Sequence, residues 1–360
     1  MLCWSSGEPD VPSINKPLVP QVPLPANALG LTTRDYEGSM STLCAGCGHD
    51  SITAALVHAL WEIAVPPHMV AKLSGIGCSS KTTAYFDRGA HGFNSVHGRM
   101  AAIATGAAAA NRELLYIGVS GDGDSLSIGL GQLCHAMRRN VHMLYIIENN
   151  GVYGLTKGQF SASADVGSTM KRGQPNRIPP IDPVLVGLSS GATFLARSFS
   201  GDKDQLVPIL KAAAAHRGFA LVDVISPCVT FNDHEGSTKS YRYTRQHEVH
   251  ATEADFIPLR AEITARIEDG VKQVTMHDGS VVTFRALPED YDPSDRASVT
   301  RYLQDRHAAG EMATGILYVD EASPDMHEVN NTAAEPLVQL PFTRLNPGAD
   351  TLAAIQAGWR

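Results

Sequence analysis

The stretch from Leu114 to Asn150 constrains the fold more than any other part of the chain. Leu114–Ser120 reads LLYIGVS, an apolar run of strand length. Gly121-Asp122-Gly123-Asp124 follows as a turn. A helical pattern then runs from about Ser125 to Arg139, with Arg138 and Arg139 in the last turn, where cations suit the helix dipole. Val141–Ile147 is a second apolar run. Strand, glycine turn, helix and strand make a βαβ crossover, which requires parallel strands buried on both faces. Upstream, residues 50–64 place Ile52, Leu56, Ala59, Leu60 and Ile63 at helical spacing, 68–73 read as a strand, and 99–111 as an alanine-rich buried helix. Downstream, the strand Ala192–Arg197, a helix around Lys203–His216 and the strand Ala220–Ser226 repeat the rhythm. The expected fold is α/β, a doubly wound, mostly parallel sheet over residues 31–245.

Two segments flank this domain. Residues 1–30 carry Pro9, Pro12, Pro17, Pro20, Pro23 and Pro25 and predict an extended arm. Residues 246–360 read as an appended extension. Val274–Met276 and Val281–Phe284 flank an Asp-Gly turn and predict a hairpin. Asp292-Pro293 is expected to open a helix that Gly310 closes, with a loop-rich tail beyond.

A net charge of −8 argues against a nucleic-acid-binding surface. No apolar run reaches the ~18 residues of a membrane span, and a secretory signal pattern is missing, so the cytoplasm is the expected compartment. Charged residues are 18% of the chain, below the ~25% usual for soluble domains, which hints at surface covered by a partner. Six cysteines in 360 residues are too few and too scattered for a disulfide scaffold, so clustered pairs point to metal or catalysis.

Two constellations carry chemistry. Gly121-Asp122-Gly123-Asp124 ends one strand, and Asn149-Asn150 ends the next. Ligands of parallel sheets sit at these strand ends. Glycine lets the backbone approach a phosphate, but two aspartates would repel it unless a divalent cation intervenes. Neither GxxxxGK[ST] nor GxGxxG follows a strand. A GDG turn followed by NN at this distance is the diphosphate-binding pattern of thiamine-diphosphate enzymes, the plain alternative being two Asx turns. The second constellation is Cys44-Ala-Gly-Cys47, with Cys78 and Cys228 far along the chain. An iron–sulfur cluster, a zinc site and structural thiols are all compatible with it. Cys134, on the apolar face of a helix, reads as a small hydrophobe.

Taken in order, CAGCGHDSI, GIGCSSKTTAYF, HGRMAAIATG, GDGDSLSIGLGQLCHAMRRN, NNGVYGLTKGQFS and SPCVTFND resemble the β subunit of 2-oxoacid:ferredoxin oxidoreductases, most of all the 2-oxoglutarate type, over about residues 35–235. The resemblance implies that Cys44, Cys47, Cys78 and Cys228 hold one [4Fe–4S] cluster. It implies that Ile76, Gly77, Cys78 and Ser79 line a thiamine diphosphate site, with Asp122, Asn150 and the Val152 carbonyl on Mg²⁺. Gly123, Asp124, Gly154 and Leu155 would hold the diphosphate and the reactive end of the cofactor. Lys81 becomes a candidate for a substrate carboxylate, against the plainer reading of a solvated lysine. His97 and Arg99 would stand near the cofactor or the partner, or serve structure alone.

The implied reaction is oxidative decarboxylation of 2-oxoglutarate with coenzyme A to succinyl-CoA and CO₂, or its reverse, with electrons leaving for ferredoxin. Thiamine enzymes need a glutamate on the aminopyrimidine ring. In this family an α subunit supplies it, so an (αβ)₂ assembly is expected and the chain alone should be inactive. Pyruvate or branched-chain 2-oxoacids are alternative substrates. A non-redox thiamine-diphosphate lyase or ligase would share GDG…NN without the cysteines, and a zinc-stapled noncatalytic subunit is the reading from another class.

Overall fold

A computed structural model describes residues 24–169, 174–257, 272–286, 291–346 and 348–359; most of the proline-rich arm lies outside them. The chain begins with α1 (Gly48–Glu62), β1 (Val70–Ser74), a 3-10 turn carrying Lys81, and β2 (His91–Asn94). It continues through α2 (Met100–Ala110), β3 (Leu115–Gly121), α3 (Leu130–Arg138) and β4 (Met143–Asn149). A small ribbon follows, β5 (Val152–Tyr153) with β6 (Gln159–Phe160), then α4 (Pro183–Ser190), β7 (Phe194–Phe199), α5 (Lys203–Ala215) and β8 (Phe219–Ile225). Beyond residue 240 lie α6 (Tyr241–His247), β9 (Glu248–His250), β10 (Glu253–Ile257), β11 (Lys272–Thr275), β12 (Val281–Ala286), α7 (Arg296–Ala308) and β13 (Met312–Val319). Three short helices finish the chain: α8 (Met326–Asn330), α9 (Phe342–Leu345) and α10 (Ala349–Ala357).

The main sheet has the order β2-β1-β3-β4-β8-β7-β13-β9. Its six strands from β2 to β7 are parallel, and β13 runs antiparallel to β7. Alternation sorts the side chains. Tyr116, Tyr145, Ile147 and Leu221 face α2, α3, α4 and α7, while Ile117, Leu144, Ile146 and Val222 face α1 and α5. Both faces are therefore dry, which is why β4 and β8 are buried at every position. Cys134 is packed at the margin of the first core, as its place on an apolar face suggests.

Three expectations need correction. The helix after the glycine turn does not run unbroken from Ser125. Gly123–Ile128 form a π-helical turn, closed by Gly129 N donating to Asp124 O at 2.9 Å, before α3 begins. Ser125 Oγ bonds Ser120 Oγ and the Tyr145 hydroxyl at 2.9 Å each, so the wider turn lets consecutive polar residues face inward. Asp292-Pro293 does not open α7. Asp295 caps it, accepting from Ala297 N at 3.0 Å. Nor does the sheet stop at residue 245. β13 is buried from Ala313 to Val319 and pairs with β7, and β9 forms the last edge, so part of the extension completes the domain. The expected hairpin is present as β11–β12. With β10 it makes a three-stranded antiparallel sheet whose Phe256, Met276 and Val282 join the α5-side core.

Candidate cofactor site

The carboxyl ends of β1, β3 and β4 open onto a cleft of about 480 Å³. Its lining includes Ile76, Gly77, Cys78 and Ser79 from the β1 side, and His97 from the loop before α2. Asp122, Gly123 and Asp124 come from the β3 turn, and Asn150, Val152, Gly154 and Leu155 from beyond β4. Parallel strands that all end on one side of a sheet bring these distant segments to one edge.

Asp122 is buried. Its Oδ2 accepts from Gly151 N at 3.1 Å, from Ser163 Oγ at 2.6 Å and from Ser161 Oγ. Oδ1 takes a single long contact of 3.4 Å from Asn150 N. One oxygen is thus saturated and the other is available to a cation. Burial raises the pKa of Asp122, opposed by the serine hydroxyls. Asn150 Oδ1 accepts from Val152 N at 3.0 Å and sets the turn beside it. The neighbouring Asn149 is a brace: its amide donates to Asp223 Oδ1 at 2.9 Å and its oxygen accepts from Ser163. Asp223 in turn holds Arg197 at 2.8 Å, which also pairs with Asp182 at 2.7 Å.

The four thiols gather at the mouth of the cleft. Cys44 and Cys47 share a turn in which Cys47 N donates to Cys44 O at 3.0 Å, and Gly48 N reaches Pro227 O at 3.3 Å, beside Cys228. A Cβ on Gly154 would stand 3.4 Å from Cys78 Sγ and 3.7 Å from Cys228 Sγ, so the two sulfurs flank the same point of the loop after β4. Burial pushes the Cys47 thiol up to about 12, and Cys78 and Cys228 are raised too, with neighbouring thiolates adding to the effect. Four thiols that repel one another when ionised, with Lys81 offsetting this only at Cys78, suit a cationic metal centre.

Behind the thiols lies a buried pair. His49 Nδ1 is 2.6 Å from Ser226 Oγ and 3.5 Å from Glu148 Oε2, and Thr82 Oγ1 donates to Glu148 at 3.0 Å. Burial lowers His49 to about 4 and raises Glu148 well above the carboxylate range. Desolvation outweighs attraction, and the pair is neutral. Because the folded value of His49 lies below the unfolded 6.5, its contribution is intact above pH 6.5 and is lost as pH falls through 4, reaching about 3 kcal/mol. Glu148, raised above its unfolded value, acts in the opposite sense over the same range, so the check is a difference: from pH 7 to 4.5 the urea midpoint of the wild type should fall by more, or rise by less, than that of His49→Asn.

Residues 75–224 match the family model "Thiamine pyrophosphate enzyme, C-terminal TPP binding domain". The chain is 36% identical over 252 residues to 2-oxoglutarate oxidoreductase subunit KorB of Mycobacterium tuberculosis, covering 66% of this chain and 67% of that one. It is 42% identical over 207 residues to the β subunit of a 2-oxoacid:ferredoxin oxidoreductase of Saccharolobus solfataricus, covering 57% and 67%. The chain belongs to the 2-oxoacid:ferredoxin oxidoreductase β subunits. Among solved structures it is similar to the 2-oxoglutarate:ferredoxin oxidoreductase of Magnetococcus marinus, which has 2-oxoglutarate, coenzyme A and succinyl-CoA bound. That match has a TM-score of 0.67 and 30% identity, and covers 84% of this chain and 89% of that one.

Of the residues singled out in this β subunit, Cys44, Cys47, Cys228, Lys81 and Arg99 stand outside the cleft lining. Lys81 sits in the 3-10 turn after Cys78, its N donating to Cys78 O at 3.1 Å. Arg99 donates to Gly98 O at 3.1 Å and Gln132 Oε1 at 3.3 Å, fastening the loop before α2 to α3. Sequence reasoning missed His49, Tyr153 and Thr156 in the lining and the Ser161–Ser163 pair on Asp122. The serines lie some forty residues from Asp122; Ser161 closes the NNGVYGLTKGQFS motif, but nothing in the sequence shows that either serine turns back onto Asp122.

Proposed function

We propose that this chain is the thiamine-diphosphate-binding subunit of an enzyme that converts 2-oxoglutarate and coenzyme A to succinyl-CoA and CO₂, or runs the reverse, and passes electrons through a [4Fe–4S] cluster to ferredoxin. The observation that carries the reading is the convergence of Cys44, Cys47, Cys78 and Cys228 at the rim of the cleft that also holds Asp122 and Asn150. The 2-oxoglutarate and coenzyme A bound in the similar Magnetococcus enzyme support the choice of substrates.

When bound, thiamine diphosphate supplies the electron sink for decarboxylation and the cluster a one-electron acceptor. The protein side is positional. Asp122 Oδ1, the Asn150 side chain and the Val152 carbonyl are the oxygen donors for Mg²⁺, hard ligands for a hard ion. Ile76, Gly77, Ser79, Gly123, Gly154 and Leu155 shape the walls, and the four thiolates hold the cluster. Lys81, beside Cys78, offers a compact cation to a substrate carboxylate.

No glutamate lines the cleft among the described residues, and Glu148 is hydrogen-bonded inside the fold. The activating glutamate therefore comes from an α subunit, in an (αβ)₂ assembly. Exposed Ile76, Val96, Ile128 and Leu155 around the mouth support a partner there. Among the described residues no helix is long and apolar enough to cross a membrane, and we place the complex in the cytoplasm.

The test is metal analysis of the anaerobically purified complex, with EPR before and after 2-oxoglutarate and coenzyme A. About four irons per chain are expected, with a reduced-cluster signal that grows on substrate addition. Zinc in place of iron would overturn the redox reading, and a response to pyruvate alone would move the substrate. The chain purified without its partner should show no turnover.

A further inference from the structure

Away from the cofactor cleft, an imidazole and two carboxylates converge where the last strand of the sheet meets the start of α5. Glu248 and His250 stand two residues apart on β9, so both project from one face of that edge strand. Asp202 lies in the turn between β7 and α5 and caps α5, its Oδ1 accepting from Gln205 N at 3.1 Å. One donor atom from each of the three lies within 4.8 Å of the other two. His250 Nε2 is 3.7 Å from Asp202 Oδ2 and 3.8 Å from Glu248 Oε1. These separations are too long for hydrogen bonds. They approach the spacing a metal ion imposes, since ligand atoms at ~2.0–2.2 Å from a tetrahedral zinc stand roughly 3.3–3.6 Å apart.

The state of Glu248 is a second and independent observation. Its side chain is 11% exposed, and its Oε1 is enclosed with no hydrogen-bond partner. Burial raises the pKa of Glu248 and the Asp202 carboxylate adds to this, opposed by the Thr314 hydroxyl and His250. Thr314 is itself fixed, its Oγ1 accepting from Gln205 Nε2 at 3.0 Å. The carboxylate is thus held on the side of Thr314 and turns an unpaired oxygen toward His250. A buried anionic oxygen without a donor is costly, and a cation is what such a position lacks.

The fold gives an ion here something to do. β9 is three residues long and pairs with β13 alone, as the final edge of the sheet. An ion on all three side chains joins that short edge to the β7–α5 turn. The same neighbourhood braces the cysteine turn. Phe199, at the end of β7, packs edge-on against Tyr241 of α6 at 5.7 Å between centroids, and the Tyr241 hydroxyl donates to Gly46 O at 3.1 Å, between Cys44 and Cys47.

We propose that Asp202, Glu248 and His250 bind one zinc ion, which clips the edge strand β9 to the turn leading into α5. An imidazole nitrogen beside two carboxylates suits zinc, whereas Mg²⁺ and Ca²⁺ take oxygen ligands. Water completes the tetrahedron on the exposed side, at His250. The inference stands apart from the thiamine diphosphate reading and does not depend on it.

The test is zinc titration of the anaerobic, co-purified complex, followed by desalting, metal analysis and X-ray absorption at the zinc edge. The wild type should retain about one zinc per chain of this subunit, in a shell of nitrogen and oxygen. A large excess of Mg²⁺ should leave that zinc in place. His250→Asn and Glu248→Gln should each weaken zinc binding at least ~10-fold, the loss that follows even from removing a partner behind a ligand. His250 is exposed and glutamine keeps the shape of Glu248, so both variants should fold. Asp202→Asn retains an oxygen for the α5 cap and should weaken zinc binding too. Zinc should raise the thermal midpoint of the wild-type complex and leave that of His250→Asn unchanged. Equal zinc retention in the wild type and His250→Asn, or no retained zinc at all, would overturn the proposal. So would a sulfur-containing zinc shell, which would put the ion on the cysteines.

Discussion

Replacement of Cys228 by serine is expected to drop iron from about four per chain to below one and to slow ferredoxin reduction by at least ~100-fold, while thiamine diphosphate still binds. Cys228 follows β8 directly, and its carbonyl accepts from Phe231 N at 3.1 Å and Asn232 N at 2.8 Å, so its place is set by backbone rather than by the sulfur. Serine fits the same space, and the change in stability should stay within about 1 kcal/mol. What serine lacks is the thiolate, the soft donor that iron–sulfur clusters use. The thiol also stands among its three partners, so one cluster corner cannot be replaced by another residue nearby. Iron and sulfide analysis with EPR is the measurement. Cys134→Ser is the control: that thiol packs beside the first core on α3 and should leave iron unchanged. Full iron in Cys228→Ser would show that the four cysteines do not act as a set.

Asp122→Ala is expected to abolish retention of Mg²⁺ and thiamine diphosphate, with at least a ~100-fold loss of affinity, about 2.7 kcal/mol, while iron stays near the wild-type value. Two effects combine. On the proposed reading the carboxylate would be the anionic metal donor, and Oδ1 is the oxygen without a strong partner. It is also the acceptor for Gly151 N, Ser161 and Ser163, and removing it leaves buried donors unpaired, each costing about 1–3 kcal/mol. Asp122→Asn separates the two. It keeps the shape and part of the hydrogen bonding, so the fold should recover while cofactor affinity stays low. Equilibrium dialysis of Mg²⁺ and thiamine diphosphate against each variant reads this out. Wild-type affinity in Asp122→Asn would move the metal site away from the glycine turn.

Several of these features were legible in the chain because their causes are local. β3 and β4 announce themselves as apolar runs since strands of a parallel sheet are buried on both faces. Asp122 and Asn150 could be placed at one edge because every parallel strand ends on the same side, whereas Cys78 and Gly154 came only with the family resemblance. The π-helical turn at Gly123–Ile128 was not legible, because it answers to Ser120 and Tyr145, which only the folded sheet brings alongside. GDGD likewise marks the turn and says nothing about where each carboxylate points.

The amino-acid order by itself determined the βαβ core, the glycine turn and the four cysteines, since periodicity, turn chemistry and residue type act over a few neighbours. Tertiary structure decided the rest. It took β13 from a segment read as a tail and set it against β7, because an apolar strand finds its lowest free energy on an open sheet edge. It also set the Asp124 carboxylate on the backbone amides of Ile76 and Gly98, because a buried charge goes where the donors are, and those donors come from segments far apart in the chain.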